Sequence, residues 1–410
     1  MKPAPRRALE CLALSIAGLG ISAYLGFLHL ALLRGELYGG PACGGIGSLF
    51  NCHAVAASRF GSALGLPLSL WGILGYLATL NLALIAWQFP DWAEAALTGL
   101  VGLTATFLFI DAGLLVVMVT QIRLLCAFCL ATYGINLLLL LVAKQALARP
   151  WVQVIRQLPS VYQAFLLGAW ANGVGLFFWG VLLTGFAGVV AVNASAEFLT
   201  RAPGGLRERM MQMVLYTPRV QVETAGNPRL GPSRAPIQVV EFMDFMCPIC
   251  QQAARFDAIL LATHRNEVSL VLKQFPLDQS CNSAIERTVH TGACKLAVAA
   301  QCAHVQGKFW AFHDRMLQQN LPYLLGDLER DVARAGLDLA AFRECMASGQ
   351  GLEAVARDVA EGARLKLVST PAYVVNGVPI LGAITPAQFE ELVKVLRQSG
   401  SLRGASETRR

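Results

Sequence analysis

The sequence predicts a multi-domain membrane protein. It should hold an all-α bundle of four transmembrane helices, a fifth linking helix, and then an α/β soluble domain. Three observations predict this. Hydrophobic residues make up 55% of the 410 residues and charged residues only 14%, against about 25% charged in an average soluble domain. Five stretches in the first half of the chain hold the roughly 20 mostly apolar residues that a bilayer crossing needs. From Pro236 onward, strand-like and helical runs alternate instead.

The first span, Leu9 to Leu33, follows Lys2, Arg6 and Arg7. Its length, and the spans that follow, argue against a cleaved signal peptide. Arg34 to Gly65 is too polar and Gly-rich to span, and His53 to Phe60 within it is expected as a short interfacial helix. The second span is Leu66 to Trp87, the third Ala93 to Thr120 and the fourth Leu124 to Val142, followed by Lys144, Arg149 and Arg156. The fifth, about Tyr162 to Val192, is long and Gly-rich, so tilt or frayed ends are expected. The positive-inside rule places the N-terminus and the fourth-to-fifth connection in the cytoplasm, which four crossings satisfy. The expected location is a cell inner membrane, with the soluble domain on the periplasmic, extracytoplasmic side. The net charge of +7 then reflects span flanks. No basic helix with interleaved aromatics occurs, so no nucleic-acid partner is expected.

The expected division is a bundle over 1–150, the fifth helix and a linker over 151–235, the soluble domain over 236–398 and a disordered tail over 399–410. Leu206 to Tyr216, with Met210, Met211 and Met213, reads as a docking helix or a plain spacer.

Eleven cysteines follow this plan. Cys43 and Cys52 lie in the first polar loop, Cys126 and Cys129 form a C-x-x-C at the fourth span, and Cys247 and Cys250 form another in the soluble part. A C-x-x-C on a helical turn puts both sulfurs on one face, within disulfide reach. All three pairs fall on the same, oxidising side of the membrane, which points to dithiol–disulfide exchange. Cys11 is the odd one out and reads as a packing residue. Cys281, Cys294, Cys302 and Cys345 read as structural; of three connectivities, Cys281–Cys294 and Cys302–Cys345 is taken. A zinc site would need a second pair or an H-x-x-x-H near Cys247 and Cys250; neither occurs, so no metal is expected. Asp111, inside the third span, is either functional or a helix-packing hydrogen-bond partner.

In the soluble part, Ile237 to Phe245 reads as a buried strand running into Cys247-Pro248-Ile249-Cys250, with a helix to about His264. A helix N-terminus favours thiolate, which makes Cys247 the nucleophile and Cys250 the resolving thiol. Val268 to Phe275 is a second strand, Arg287 to Met346 mostly helical, Ala372 to Val378 a strand, and Pro386 opens a last helix. The segments EFMDFMCPIC, QGKFW and STPAYVVNGVPI resemble the thioredoxin fold of the DsbA-like family, over about Pro236 to Gln398. The resemblance implies that Pro371 is cis and faces the cysteines. It also implies that Glu241 is the buried acid assisting proton transfer, the alternative being a solvent-facing strand residue. Strongly oxidising members carry His where Ile249 stands, so a less oxidising dithiol is expected.

Cys43…Cys52, then Ser58, LPLSLWGILGY and CAFCLATYGIN resemble the vitamin K epoxide reductase family in its bacterial form, over about Leu9 to Val142. The resemblance implies a four-helix bundle holding a quinone, of ubiquinone or menaquinone type, beside Cys126 and Cys129. Cys129 would face the quinone, and Cys126 would exchange with Cys52. Cys43 would meet the chain's own thioredoxin-like domain. Tyr133 matches a quinone-contacting Tyr, or else is an interfacial anchor, and Ser58 matches a loop hydroxyl. The quinone-contacting Asn of animal members has no clear match; Leu68 stands near it. The expected activity is that of a quinone-dependent thiol-disulfide oxidoreductase making disulfides in secreted proteins with reduced cysteines. The alternatives are the same relay running reductively, a membrane-anchored chaperone or binding module with inert disulfides, and a transporter. One intramembrane acid and no internal repeat speak against the last.

Overall fold

The computed structural model describes residues 5–33, 50–58, 60–166, 173–201 and 205–407. They fall into two compact units, one built mainly from the first 200 residues and one from Arg201 onward.

Among the described residues the first unit is helical apart from one small hairpin and a single bridge between Phe50 and Leu125. Helix α1 spans Pro5–Leu33 and the short α2 Cys52–Ala57. Strands β1 (Ser62–Ala63) and β2 (Leu66–Pro67) pair antiparallel. Leu64 and Gly65 between them both have positive φ, as a type I′ turn requires. Then come α3 (Leu68–Gln88), α4 (Ala93–Val117), α5 (Ala127–Leu147), α6 (Trp151–Leu166) and α7 (Gly173–Arg201). Five helices, α1, α3, α4 with its continuation to Ile122, α5 and α7, are long and apolar enough to cross a membrane. The protein is therefore a multi-pass membrane protein.

Packing in this unit depends on close approach. Gly18 of α1 lies against the ring of Tyr76, where a Cβ would collide. That ring is buried with Leu97, Leu100 and Leu139 in one core. At the opposite end, Arg149 donates to Glu94 at 2.9 Å, tying the end of α5 to the start of α4.

Two details differ from expectation. The fifth span was expected from about Tyr162; among the described residues Trp151–Leu166 is the helix α6, and the stretch long and apolar enough to cross a membrane is Gly173–Ser195 of α7. The reason is composition: α6 is amphipathic, with Val154 and Val161 buried while Leu158 and Tyr162 fill the space beside Gly102. The third span, expected to end at Thr120, closes in a π-helical stretch, Met118–Ile122, ended by Arg123 in the left-handed region.

The second unit opens with α8 (Leu206–Tyr216). Strands β3 (Arg229–Leu230), β4 (Ile237–Met243), β5 (Val268–Gln274), β6 (Ala372–Val375) and β7 (Val378–Leu381) form one mixed sheet in the order β3-β5-β4-β6-β7. Only β4 and β5 run parallel, joined by α9 (Pro248–Thr263) as a parallel pair requires. All seven residues of β5 are buried, as expected for a strand covered on both faces. Between β5 and β6 lie α10 (Ala293–Val305), α11 (Phe309–Met316), α12 (Leu328–Arg334), α13 (Leu339–Ser348) and α14 (Gln350–Arg364). Helix α15 (Pro386–Glu407) closes the chain. This is an α/β thioredoxin-like domain.

Here too the boundaries move. The segment assigned to a linker belongs largely to this unit. Met210 and Val214 of α8 are buried against Phe389, Leu392 and Leu396 of α15, so α8 docks; the N–H of Val220 bonds to the carbonyl of Gly377 at 2.8 Å; and β3 extends the sheet. Residues 399–407, expected as a disordered tail, continue α15, which no Pro interrupts. Two disulfides, Cys281–Cys294 and Cys302–Cys345, staple the helical insertion.

Candidate functional site

Each unit has a C-x-x-C at the start of a helix. In the membrane unit, Cys126 is the N-cap of α5. Its backbone is extended, and its Sγ accepts from the Cys129 N–H at 3.1 Å. Cys126 is bonded to Cys129. The intervening Phe128 packs edge-on to Tyr24 of α1, which fixes the turn. Asn51 caps α2 through Oδ1, accepting from Ala54 N–H at 2.9 Å, and its own N–H bonds to the Leu125 carbonyl at 2.9 Å. These bonds bring the segment bearing Cys52 to the start of α5. Cys52 is buried in one cluster with Cys126, Leu28, Met118 and Ile122. Cys43 lies outside the described residues.

Cys52, Cys126 and Cys129 line one cavity of about 230 Å3, together with Ser58, Leu68, Tyr133 and Asp111. Ser58 donates through Oγ to the Val55 carbonyl at 2.8 Å, so its hydroxyl proton serves to end α2. The sequence reading assigned no role to Asn136, which lines the same cavity. Asn136 Nδ2 donates to Asp111 at 2.8 Å, and Tyr76 Oη donates to Asn136 Oδ1 at 2.8 Å. The available signal was its spacing: Asn136 falls seven residues after Cys129 and three after Tyr133, on one helix face.

The residues present fit a quinone. Apolar side chains such as Phe107, Ile110 and Leu114 line the cavity, suiting a lipid-soluble ring. Ser69, also in the lining, buries an Oγ that bonds to no other described residue, leaving a donor for a carbonyl oxygen. Among the described residues no group of three or more His, Cys, Asp or Glu is placed to hold a metal ion.

In the second unit, β4 delivers the chain to Cys247, the N-cap of α9, with Pro248 in the first turn where its missing N–H costs nothing. Ile249 is half exposed and Cys250 fully buried. The Cys250 thiol, donating to the Cys247 sulfur, pulls the Cys247 pKa down to about 6; burial opposes it, and the N–H groups of Cys250 and Ile249 assist. Burial and the neighbouring Cys247 hold Cys250 well above the usual thiol range. The two sulfurs are therefore unequal, one a thiolate at neutral pH and the other a thiol. The Thr370–Pro371 bond is cis, and the Cys247 sulfur lies 3.5 Å from the Thr370 carbonyl oxygen. Asp244 braces the turn, accepting from Met246 N–H at 2.7 Å, Leu277 N–H at 2.8 Å and His290 Nδ1 at 2.8 Å. Glu241 is buried in β4, not solvent-facing, with its carboxyl held well above the usual range by burial and by Asp257.

Fold and site define a class: multi-pass membrane chains that carry a thioredoxin-like domain, with a C-x-x-C opening a helix in each part. The particular chain carries a vitamin K epoxide reductase family domain, matched over residues 9–144, followed by a thioredoxin/DsbA-like domain, matched by a Thioredoxin family model over residues 223–395. Na(+)/H(+) antiporter NhaA 3 of Salinispora tropica is 39% identical over 148 residues, 36% of this chain and 21% of that protein; the chain thus spans about a fifth of the length of that relative. Probable disulfide bond formation protein D of Bacillus cereus is 28% identical over 163 residues, 36% of this chain and 69% of that protein. Among solved structures, a thioredoxin-like oxidoreductase from Silicibacter pomeroyi aligns at 25% identity and a TM-score of 0.37, covering 42% of this chain and 94% of its own. BdbD from Bacillus subtilis aligns at 18% identity and a TM-score of 0.37, covering 44% and 97%.

Proposed function

We propose that the chain is a quinone-dependent thiol-disulfide oxidoreductase that makes disulfides in secreted proteins. The observation that carries this reading is the cavity shared by Cys52, Cys126 and Cys129, in a chain whose second C-x-x-C is built for exchange. A client thiolate attacks the Cys247–Cys250 disulfide at Cys247; the client's second thiol resolves the mixed disulfide, leaving the client oxidised and Cys247 and Cys250 reduced. The Cys247 thiolate attacks a Cys43–Cys52 disulfide at Cys43, and Cys250 completes that transfer. Cys52 then attacks Cys126, Cys129 leaves as thiolate toward the cavity, and Cys43 resolves. Each step is thiolate attack on sulfur, so its rate follows pKa, access and alignment.

A quinone in the cavity supplies a two-electron, two-proton acceptor. Tyr133 and Ser69 would hold its oxygens, and the Tyr76–Asn136–Asp111 hydrogen bonds keep the polar wall in one arrangement. Lys2, Arg6 and Arg7 orient the N-terminus to the cytoplasm, which puts the thioredoxin-like domain outside, where disulfides persist. The divisions proposed with this function are a quinone-binding bundle to about residue 150, a fifth span, and an exchange domain that takes in α8, whose Met210 and Val214 pack with residues of α15. One chain holding both units keeps partner concentration high, up to about millimolar for a short flexible tether.

The test is reconstitution of the full chain with a reduced client and a defined quinone. One quinone should be reduced per client disulfide formed. Quinone reduction that persists in Cys129→Ala sinks the relay, and client oxidation that persists in Cys247→Ser favours a binding module instead. Turnover supported by quinol and a client disulfide, but not by quinone, would reverse the direction.

A further inference from the structure

The cavity of the membrane unit has one acid in its lining, and the relay of thiols does not use it. Asp111 sits in α4, within the third span, and lines the cavity with Cys52, Cys126 and Cys129. Its Oδ2 accepts from Asn136 Nδ2 of α5 at 2.8 Å. Its Oδ1 makes no hydrogen bond to another described residue. Behind the amide, Tyr76 Oη of α3 lies 2.8 Å from Asn136 Oδ1 and 3.2 Å from the Thr132 carbonyl oxygen. Tyr76 is 3% exposed and Asn136 5% exposed, so their polar atoms depend on these protein partners.

This row of groups is complete in two directions. A phenol has one proton to donate and lone pairs to accept with, and an amide presents a donor on one side and an acceptor on the other. In the first direction Tyr76 donates to Asn136 and Asn136 donates to Asp111, which suits a carboxylate. In the second the amide is turned over. Asp111, protonated on Oδ2, then donates to Asn136, Asn136 donates to Tyr76, and Tyr76 donates to the Thr132 carbonyl. The amide oxygen and nitrogen trade places, the other heavy atoms stay where they are, and neither direction strands a buried donor or acceptor. The surroundings do not fix the charge. Among the described residues that line the cavity there is no Lys or Arg to pair with a carboxylate. The other ionisable side chains of the lining are Tyr76, Tyr133 of α5, His29 of α1 and the three cysteines. From α6, Tyr162 meets α4 at Gly102, nine residues before Asp111.

We infer that Asp111 is the proton donor of the quinone site, passing a proton from Oδ1 to a quinone oxygen, and that Asn136, Tyr76 and the Thr132 carbonyl position it in both charge states. The proposal deepens the proposed function and rests on it for the quinone itself. The step balances. Closing the Cys126–Cys129 disulfide releases two electrons and two protons, and a quinone takes up two of each to become quinol. Asp111 gives one proton to one quinone oxygen and is refilled by one of the two that the thiols release. The other released proton goes to the second oxygen. While Asp111 is ionised the row runs in the first direction, toward the anion. While it is protonated in an empty cavity the row runs in the second, so the acid keeps an acceptor until a ligand arrives.

The experiment uses the full chain, first with no quinone added. Infrared difference spectra from pH 4 to 10 should show a carboxylic-acid C=O band that titrates, is absent from Asp111→Asn and is displaced in Asp111→Glu. Asn136→Leu should move the midpoint of that band, and an unmoved midpoint overturns the role given to Asn136. The chain is then reduced with dithiothreitol, freed of it and mixed with a short-chain ubiquinone, and one turnover is timed over the same pH range. The rate should fall with rising pH at the midpoint of the band, because the donor is empty above it. Asp111→Asn keeps the shape and still accepts from Asn136, so a merely structural role would leave the rate near that of the wild type. The donor role predicts a fall of roughly 100-fold or more, loss of the alkaline limb, ubiquinone binding within about threefold of the wild type, and partial rescue by Asp111→Glu. Unchanged turnover in Asp111→Asn overturns the proposal, and so does a wild-type band that does not titrate. If Asp111→Asn fails to fold, as lost ubiquinone binding would show, the wild type decides: band and rate midpoints that differ overturn it. Failure of the wider function has a separate signature, since the wild-type chain would then reduce no ubiquinone.

Discussion

The two C-x-x-C turns share a backbone plan and differ in what surrounds them. Cys126 and Cys247 are both extended N-caps. Around Cys126 and Cys129 the neighbours are apolar rings, one hydrogen-bonded amide and a cavity. Around Cys247 and Cys250 they are a cis-proline loop, a half-exposed Ile249 and buried carboxyls. One local motif is thus fitted to two acceptors, an apolar ring on one side and a protein sulfur on the other. The motif supplies the proximity of the sulfurs, and the surroundings supply selectivity.

Breaking each side separately tests this division. The largest effect is expected from Cys129→Ala, which should reduce electron flow to quinone to background while a single round of client oxidation by Cys247 and Cys250 continues. Cys302→Ser with Cys345→Ser removes a 43-residue closure and should destabilise the second unit by about 2–5 kcal/mol, measured by chemical denaturation, with electron transfer in the still-folded protein unchanged. Asn136→Leu leaves Asp111 and Tyr76 without their shared partner. Tyr76 keeps the Thr132 carbonyl at 3.2 Å, so the loss falls on the part-buried Asp111; at about 1–3 kcal/mol, quinone reduction should fall roughly 5- to 150-fold with no change in Cys247 alkylation. The smallest and sharpest test is pH. Alkylation of reduced Cys247 should rise through about pH 6 and level off above it, because the thiolate forms there. Cys250→Ala removes the donating thiol and should move the midpoint upward. A midpoint that stays put would assign the acidity to the helix start instead.

The five spans were legible because bilayer crossing is a composition signal summed over twenty residues. Their ends were not, because caps and packing set them. Tyr162–Leu166 reads as the start of the fifth span until the helix Trp151–Leu166 is seen to bury Val154 and Val161 on one side. The strand leading into Cys247 was legible from Ile237 onward, since five of the seven residues of β4 are apolar. Asn136 was printed within a recognised motif but carried no meaning until Asp111, 25 residues earlier, came within 2.8 Å. Asp257 was harder still. A lone acid inside an amphipathic helix looks solvated, but Asp257 is buried, and only β4 and β6 bring Glu241 and Tyr373 to it. Single polar residues acquire roles through partners distant in sequence, and no local pattern announces them.

The bond from Asn51 N–H to the Leu125 carbonyl also sets a range of travel. Cys52 is the next residue along the chain, and a chain extends at most about 3.6 Å per residue. With that bond held, the Cys52 backbone stays within a few ångströms of its anchor at the start of α5. The sulfur is thus delivered to one fixed target and has no search to make at this end.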